Sequence, residues 1–394
     1  MKKFVYVLTA AAVALGFASC QKNSEVNSTS EGKQATVSVN VTQGSLRAIG
    51  NSDASTLTAE ESKVKKLEVF VFNGDARDGY KKEEGADVKK VKDIAVTTGS
   101  RTIIVVANAS EDLSGITSKT TLKATVSADL ANQTLANGLL MTCEETDVFD
   151  VKPGKNQYGF KTGDTDLDAT ANQIKAETPI ALTRVAARVA LVKAETAFEG
   201  AYAGFKFEPT EVYVYNAKKQ SKYFGTDLNH GSDLLSGTDL TPYNGEYKPG
   251  TLPTTVAYLK DDVIDLSTIT TDKPVYYYVF ENDATIKPTI FTIKGKIKKA
   301  DDSYATKTDF PGAIDNDGFT YYSIVVNGNK GGYTYTGDAT AKDSKIKRNT
   351  KYNLSVKIKH LGKDDPTVPP TESATLDVMI EVAPWLSVDQ AIEY

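Results

Sequence analysis

Apolar and polar residues alternate with period 2 at both ends of the chain. Ala35, Val37, Val39 and Val41 alternate with Thr36, Ser38, Asn40 and Thr42. Far downstream, Ala374, Leu376, Val378, Ile380 and Val382 alternate with Thr375, Asp377, Met379, Glu381 and Ala383. Such alternation predicts a β-strand with one face on an apolar core. Leu67, Val69 and Val71 predict another strand, stopped by the turn signal Asn73-Gly74. Residues 101–107 are apolar and β-branched almost throughout, which predicts a central strand buried on both faces. Further strands are expected over 180–182, 188–192, 205–207, 211–216, 275–282, 289–297, 319–326 and 352–359. The best helix candidate is 119–140, through Leu122, Val126, Leu130 and Leu135. Residues 75–92, with Lys81-Lys82-Glu83-Glu84, read as a solvated loop or short helix. Lys152 to Asn156 reads as a turn, and 161–179 as a linker rich in Gly, Asp and Thr. Many short strands between turn signals predict a mainly β chain built of sandwiches.

The first residues break this pattern. Lys2 and Lys3 precede a short apolar run over 4–15, and small residues follow at Gly16, Ala18 and Ser19. This is a secretory signal, too short to span a bilayer. Phe17-Ala18-Ser19-Cys20 resembles a bacterial lipobox, in which the cysteine is acylated and becomes the mature N-terminus. The plainer alternative is an ordinary signal peptide with an incidental cysteine. No later segment reaches about 18 consecutive apolar residues.

The strand at 35–42 runs into Gly44-Ser45-Leu46-Arg47-Ala48-Ile49-Gly50 and a polar loop. A protease cut between Arg47 and Ala48 would release that strand and leave an apolar groove, which a C-terminal strand from another copy would fit. Arg77 and Arg101 are poorer sites, because a cut there would destroy strands needed for the first core. Asp364-Asp365-Pro366-Thr367-Val368-Pro369-Pro370 precedes the C-terminal strand and suits an extended spacer. Trp385, the chain's only tryptophan, follows that strand, and the tail is expected to be mobile in a free subunit. The plain alternative is that the tail pairs within its own sheet.

Composition excludes more than it assigns. Of 394 residues, 40% are hydrophobic and 25% charged, with a net charge of −5, as in a globular protein without a basic stripe for nucleic acid. Two cysteines and two histidines offer no cluster with metal-ligand spacing, and no phosphate or dinucleotide loop follows a strand. No cofactor, metal or catalytic residue is expected. Cys143, in an apolar run, reads as a small core residue. Asp315-Asn316-Asp317-Gly318 reads as a surface turn rather than a calcium loop.

Several segments together carry a resemblance to a known family. They include the lipobox Cys20, the strand before Arg47-Ala48-Ile49-Gly50, and Ser62-Lys63-Val64 leading into residues 67–73. Residues 101–108, 138–142 and 184–188 belong with them, as do Ala217 to Ser221, Glu281-Asn282-Asp283, Arg348 to Tyr352, Thr371 to Ala374 and Val382-Ala383-Pro384-Trp385. In order and spacing the chain resembles the major fimbrilins of Bacteroidales, structural subunits of type V pili. The resemblance implies two transthyretin-like β-sandwich domains, completed in the polymer by donor-strand exchange. It implies a signal peptide over 1–19, a propeptide with the removable strand over 20–47, domains over 48–178 and 179–363, and a donor segment over 364–394. Export as an outer-membrane lipoprotein precursor through Cys20 and cleavage by an arginine-specific protease would follow. Ala374, Leu376, Val378, Ile380, Val382 and Trp385 would then enter the neighbour's groove. Implied partners are identical subunits, tip and anchor subunits, and host or bacterial surface ligands; the membrane is touched only through the precursor's lipid. Two rivals stand beside this reading. One is a monomeric surface lipoprotein that binds glycan or host protein and keeps its first strand. The other is a tip or anchor subunit of the same pilus.

Overall fold

The structure, a computed structural model, describes residues 32–43, 59–124, 126–225, 234–236, 239–243, 259–263, 265–285, 287–328, 333–337, 343–366 and 376–384. The signal segment with Cys20, the loop holding Arg47 and Ala48, and the tail positions Ala374 and Trp385 lie outside the described residues.

Eleven strands form the first half: β1 (Gln34–Gln43), β2 (Lys66–Asn73), β3 (Ala76–Glu84), β4 (Lys90–Thr97), β5 (Gly99–Ala107), β6 (Val126–Asp129), β7 (Met141–Thr142), β8 (Phe149–Val151), β9 (Gly154–Tyr158), β10 (Asn172–Ile174) and β11 (Ile180–Arg184). One layer runs β4-β1-β9-β10 and the other β3-β2-β5-β7-β11. β1 belongs to both. Its first part pairs antiparallel with β4 and parallel with β9, and its end, Val41 to Gln43, pairs parallel with β11. The core between the layers is aliphatic, with Val37, Val39, Val69, Val71, Ile103 and Val105 at its centre.

The second half continues with β12 (Ala187–Thr196), β13 (Lys206–Tyr215), β14 (Ala217–Lys218), β15 (Gln220–Lys222), β16 (Leu234–Ser236), β17 (Asp239–Tyr243) and β18 (Lys260–Asp262). β19 (Val275–Val279), β20 (Ile290–Lys298), β21 (Thr320–Val325), β22 (Tyr333–Gly337), β23 (Thr350–Ile358) and β24 (Leu376–Pro384) complete it. Sheets β19-β12-β23-β24-β22 and β18-β13-β20-β21 enclose a second core. The expected strands at 205–207 and 211–216 are one strand, β13, with its register shifted between Pro209 and Glu211. Proline has no N–H for a ladder, so a bulge is where a sheet tolerates it.

Alternation explains how the halves join. Leu67, Val69 and Val71 of β2 face the first core, while Phe70 and Phe72 belong to the second core cluster. Ile103 and Val105 of β5 divide from Ile104 and Val106 in the same way. Burial on both faces is why residues 101–107 lack polar alternation. β6 of the first half also pairs with β15 of the second.

Three expectations fail. Residues 75–92 are not a loop or helix: Gly74, at φ +59°, turns the chain into β3, an edge strand paired with β2 along its length. Its lysines and glutamates face water and protect a free edge, while Gly79 is buried, Tyr80 packs against Phe70 at 4.9 Å and Asp78 pairs with Arg101. Helix over 119–140 is confined to Lys119–Ala124. Beyond it Val126 to Asp129 form a ladder with β15, and tertiary pairing overrides a weak helical propensity. The stretch 161–179 is folded rather than a bare linker, since β10 lies in it and pairs with β9.

Candidate polymerisation site

β1 is held like a central strand. Ala35, Val37, Val39 and Val41 are all buried, the two middle valines at 0% exposure. Three polar clasps add to the ladders. Asn156 Nδ2 donates to Thr36 O at 3.1 Å. The Asp93 N–H donates to Ser38 Oγ at 3.0 Å. Asn40 Nδ2 donates to Gly159 O and to Asp164 Oδ2, each at 3.1 Å. Burying three valines stabilises by about 1.5–3 kcal/mol each, as an upper bound. Loss of β1 would take a partner from β4, β9 and β11 together, split the β4-β1-β9-β10 layer and bare the β11 edge of the other, leaving a slot lined by apolar side chains and open backbone groups.

Arg47 follows β1 but lies outside the described residues. The remaining arginines are all engaged in folded elements. Arg77 Nη1 donates to Ser114 O at 2.5 Å. Arg101, 4% exposed, pairs with Asp78 at 2.7 Å. Arg184 and Arg188 are buried, and Arg348 pairs with Glu281 at 2.5 Å. A protease needs an extended, accessible segment, which none of these provides.

Where the described chain resumes after Arg47, it enters a buried polar knot that sequence reasoning missed. Glu61 Oε1 lies 3.0 Å from Arg188 Nη1 on β12 and accepts from Tyr278 Oη on β19 at 2.9 Å. Arg184 Nε donates to Glu61 O at 3.1 Å, and its Nη2 to Ser62 Oγ at 2.8 Å. Burial pushes the Tyr278 phenol far above its usual range, and the Glu61 carboxylate beside it adds to that; burial lowers the Arg184 guanidinium. The knot ties the described segment that follows Arg47 in sequence to strands of both halves.

The C-terminal strand is in place but not free. β24 runs antiparallel to β23 from Leu376↔Ile358 to Pro384↔Thr350, and parallel to β22. Leu376, Val378, Ile380 and Val382 stand opposite the buried Ile358, Val356, Leu354 and Tyr352 of β23. The expected mobile tail is therefore corrected: over 376–384 it completes its own sheet. The spacer begins at a fixed point, because Thr292 Oγ1 and Ser323 Oγ donate to Pro366 O at 3.0 and 2.5 Å.

No group of three His, Cys, Asp or Glu side chains among the described residues is placed to hold a metal ion. Asp315 spends its carboxylate on its own turn and strand: Oδ1 accepts from the Asp317 and Phe319 N–H groups and Oδ2 from Tyr321 Oη. No helix among the described residues is long and apolar enough to cross a membrane.

Comparison with known proteins agrees with this architecture. A family described as major fimbrial subunit protein (FimA) matches residues 35–184, and one described as FimA4 pilin C-terminal domain matches 183–385. The major fimbrium subunit FimA type-3 of Porphyromonas gingivalis is 35% identical over 406 residues, covering 100% of both chains. A putative fimbrium tip subunit, Fim1C of Parabacteroides distasonis, is 28% identical over 81% of each chain. The crystal structure of a fimbrilin (fimA) from Porphyromonas gingivalis W83 superimposes with a TM-score of 0.72 at 31% identity, covering 90% of this chain and 99% of that one.

Proposed function

The chain belongs to the FimA family of major fimbrial subunits, and from that premise we propose that it forms a pilus shaft by proteolytic strand removal followed by strand donation. It is a structural subunit of a cell-surface fimbria that assembles with identical subunits, and its relatives are structural proteins rather than enzymes. In our reading the precursor is exported with Cys20 acylated, and an arginine-specific protease cuts between Arg47 and Ala48. Residues 374–382, with Trp385, then fill the groove of the next subunit. Tip and anchor subunits would end the filament, and the finished fibre would serve adhesion and biofilm formation through host or bacterial surface ligands.

The observation that carries this reading is the position of β1. A strand shared by two layers and leading directly into an arginine-containing loop is one whose loss opens an entire sandwich. Its replacement by the tail exchanges apolar burial for apolar burial, so the two states differ little in that respect. The cut supplies the direction. A tethered β1 occupies its groove at an effective concentration near the millimolar range, and hydrolysis of the tether abolishes that advantage. Strand addition then provides a main-chain ladder and alternate side-chain pockets.

N-terminal sequencing of surface-purified protein tests the proposal. A start at Ala48 is expected. A lipid-blocked Cys20 on that protein would favour the uncut, monomeric alternative. The strand-forming tail favours shaft over tip, since a tip subunit need not donate.

A further inference from the structure

If β24 leaves for a neighbour, its own sheet loses an inner strand. β24 sits between β23 and β22, so departure would strip β23 along one side and detach β22 entirely. We propose that β22 is a reserve strand, which moves one place inward and pairs with β23 when β24 is donated. This inference rests on the strand-donation reading above.

The geometry favours the move in direction and register. β22 runs parallel to β24, and β24 runs antiparallel to β23. A β22 shifted sideways by one strand spacing of about 4.8 Å therefore meets β23 antiparallel without reversing the chain. Register is conserved by the same translation. Tyr333 is now opposite Val378, which is opposite Val356; Tyr335 is opposite Ile380, which is opposite Leu354; Gly337 is opposite Val382, which is opposite Tyr352. After the shift, Tyr333 and Tyr335 take the positions of Val378 and Ile380 beside Val356 and Leu354, which are 3% and 0% exposed. The pattern Tyr-Thr-Tyr-Thr suits such a half-buried strand.

The shift also reduces the cost of release. β22 is an edge strand with one ladder before the move and one ladder after it, so β22 itself loses no pairing. With 5 residues against the 9 of β24, it re-covers the middle of β23, from Tyr352 to Val356, and leaves the ends open. The donor thus keeps a closed second core while its tail is away.

Cysteine pairs read both steps. Thr334 and Ser355 are separated by Met379 in the precursor sheet, two strand spacings or about 10 Å, too far for a disulfide. After the shift they stand opposite each other within bonding range. T334C/S355C and S355C/M379C variants are assembled into filaments under reductant and then oxidised. Internal disulfides are scored by mass spectrometry of tryptic peptides. The expected result is a 334–355 bond in filament subunits but not in precursor, and a 355–379 bond in precursor but not in filaments. Loss of the 355–379 bond without gain of the 334–355 bond would overturn the reserve strand and leave donation standing. Retention of the 355–379 bond in normal filaments would overturn both.

Discussion

Glu61 and Arg188 form a buried ion pair, Oε1 to Nη1 at 3.0 Å, although 127 residues separate them in sequence. Both side chains are at most 1% exposed. Tyr278 Oη reaches the same carboxylate oxygen across 217 residues. These contacts fix the segment around Glu61, downstream of Arg47 in sequence, to β12 and β19.

Removing one partner of such a pair strands a charge in the core. Glu61→Ala is expected to lower the unfolding free energy by about 3–5 kcal/mol, whereas replacing both partners with apolar residues should recover much of that loss. Urea titration of the two variants checks this. A loss below about 1 kcal/mol in Glu61→Ala would mean that the pair does not hold the halves together.

Arg47→Ala should block assembly while leaving the precursor fully folded, because β1 remains in three ladders with its valines buried. Electron microscopy of cells carrying the variant is expected to find no filaments, and the purified chain should keep its N-terminal segment. Normal filaments on such cells would rule out this cleavage point.

Deleting residues 372–394 removes β24, so that β23 keeps β12 on one side and, if β22 is a reserve strand, gains it on the other. The truncated chain should still fold, since the second core keeps Tyr352, Leu354, Val356 and Ile358 from β23 against Phe291 and Ile293 of β20. Its stability should fall by a few kcal/mol, about the scale of the cover lost from the apolar residues of β23. It should also be exported and cut normally, yet form no polymer. Failure to fold would mean that the tail is an obligatory part of its own domain.

These devices were unequally legible in the sequence. β1, β5 and β24 announced themselves because burial on one or both faces writes directly into period-2 or unbroken apolar runs. β3 did not: as an edge strand it fully buries only Gly79, and its charges mimic a loop. The helix signal beyond Ala124 failed because Val126 to Asp129 satisfy a ladder with a strand far downstream. Glu61 was invisible for a similar reason. A single glutamate in a polar stretch looks solvated until the fold brings Arg188 and Tyr278 to it, and nothing local marks that meeting. The shared position of β1 in two layers likewise depends on pairing with β4, β9 and β11, which alternation alone cannot specify.

Cys143 offers a direct readout of the groove. Its side chain is 6% exposed, lies in the same apolar core as Val37, Val39 and Val41, and accepts at Sγ from the Val105 N–H at 3.1 Å. Burial pushes its thiol up to about 12, against an ordinary value of about 8.5. The neutral thiol is therefore favoured by folding. Its contribution to stability is present in full below about pH 8.5 and is lost as pH rises toward 12. At pH 8 the folded precursor should leave this thiol unreactive toward Ellman's reagent, with release of one equivalent from Cys143 only on unfolding. Once the segment ahead of Ala48 has been cut away, Cys143 is the mature chain's only cysteine, so the signal belongs to one site. In cut subunits held as monomers the loss of β1 opens that core, and the thiol should react severalfold faster. On polymerisation the donated strand closes it again, and the rate should return to the precursor value. Equal rates in precursor, cut monomer and filament would show that β1 never leaves the core it shares with Cys143.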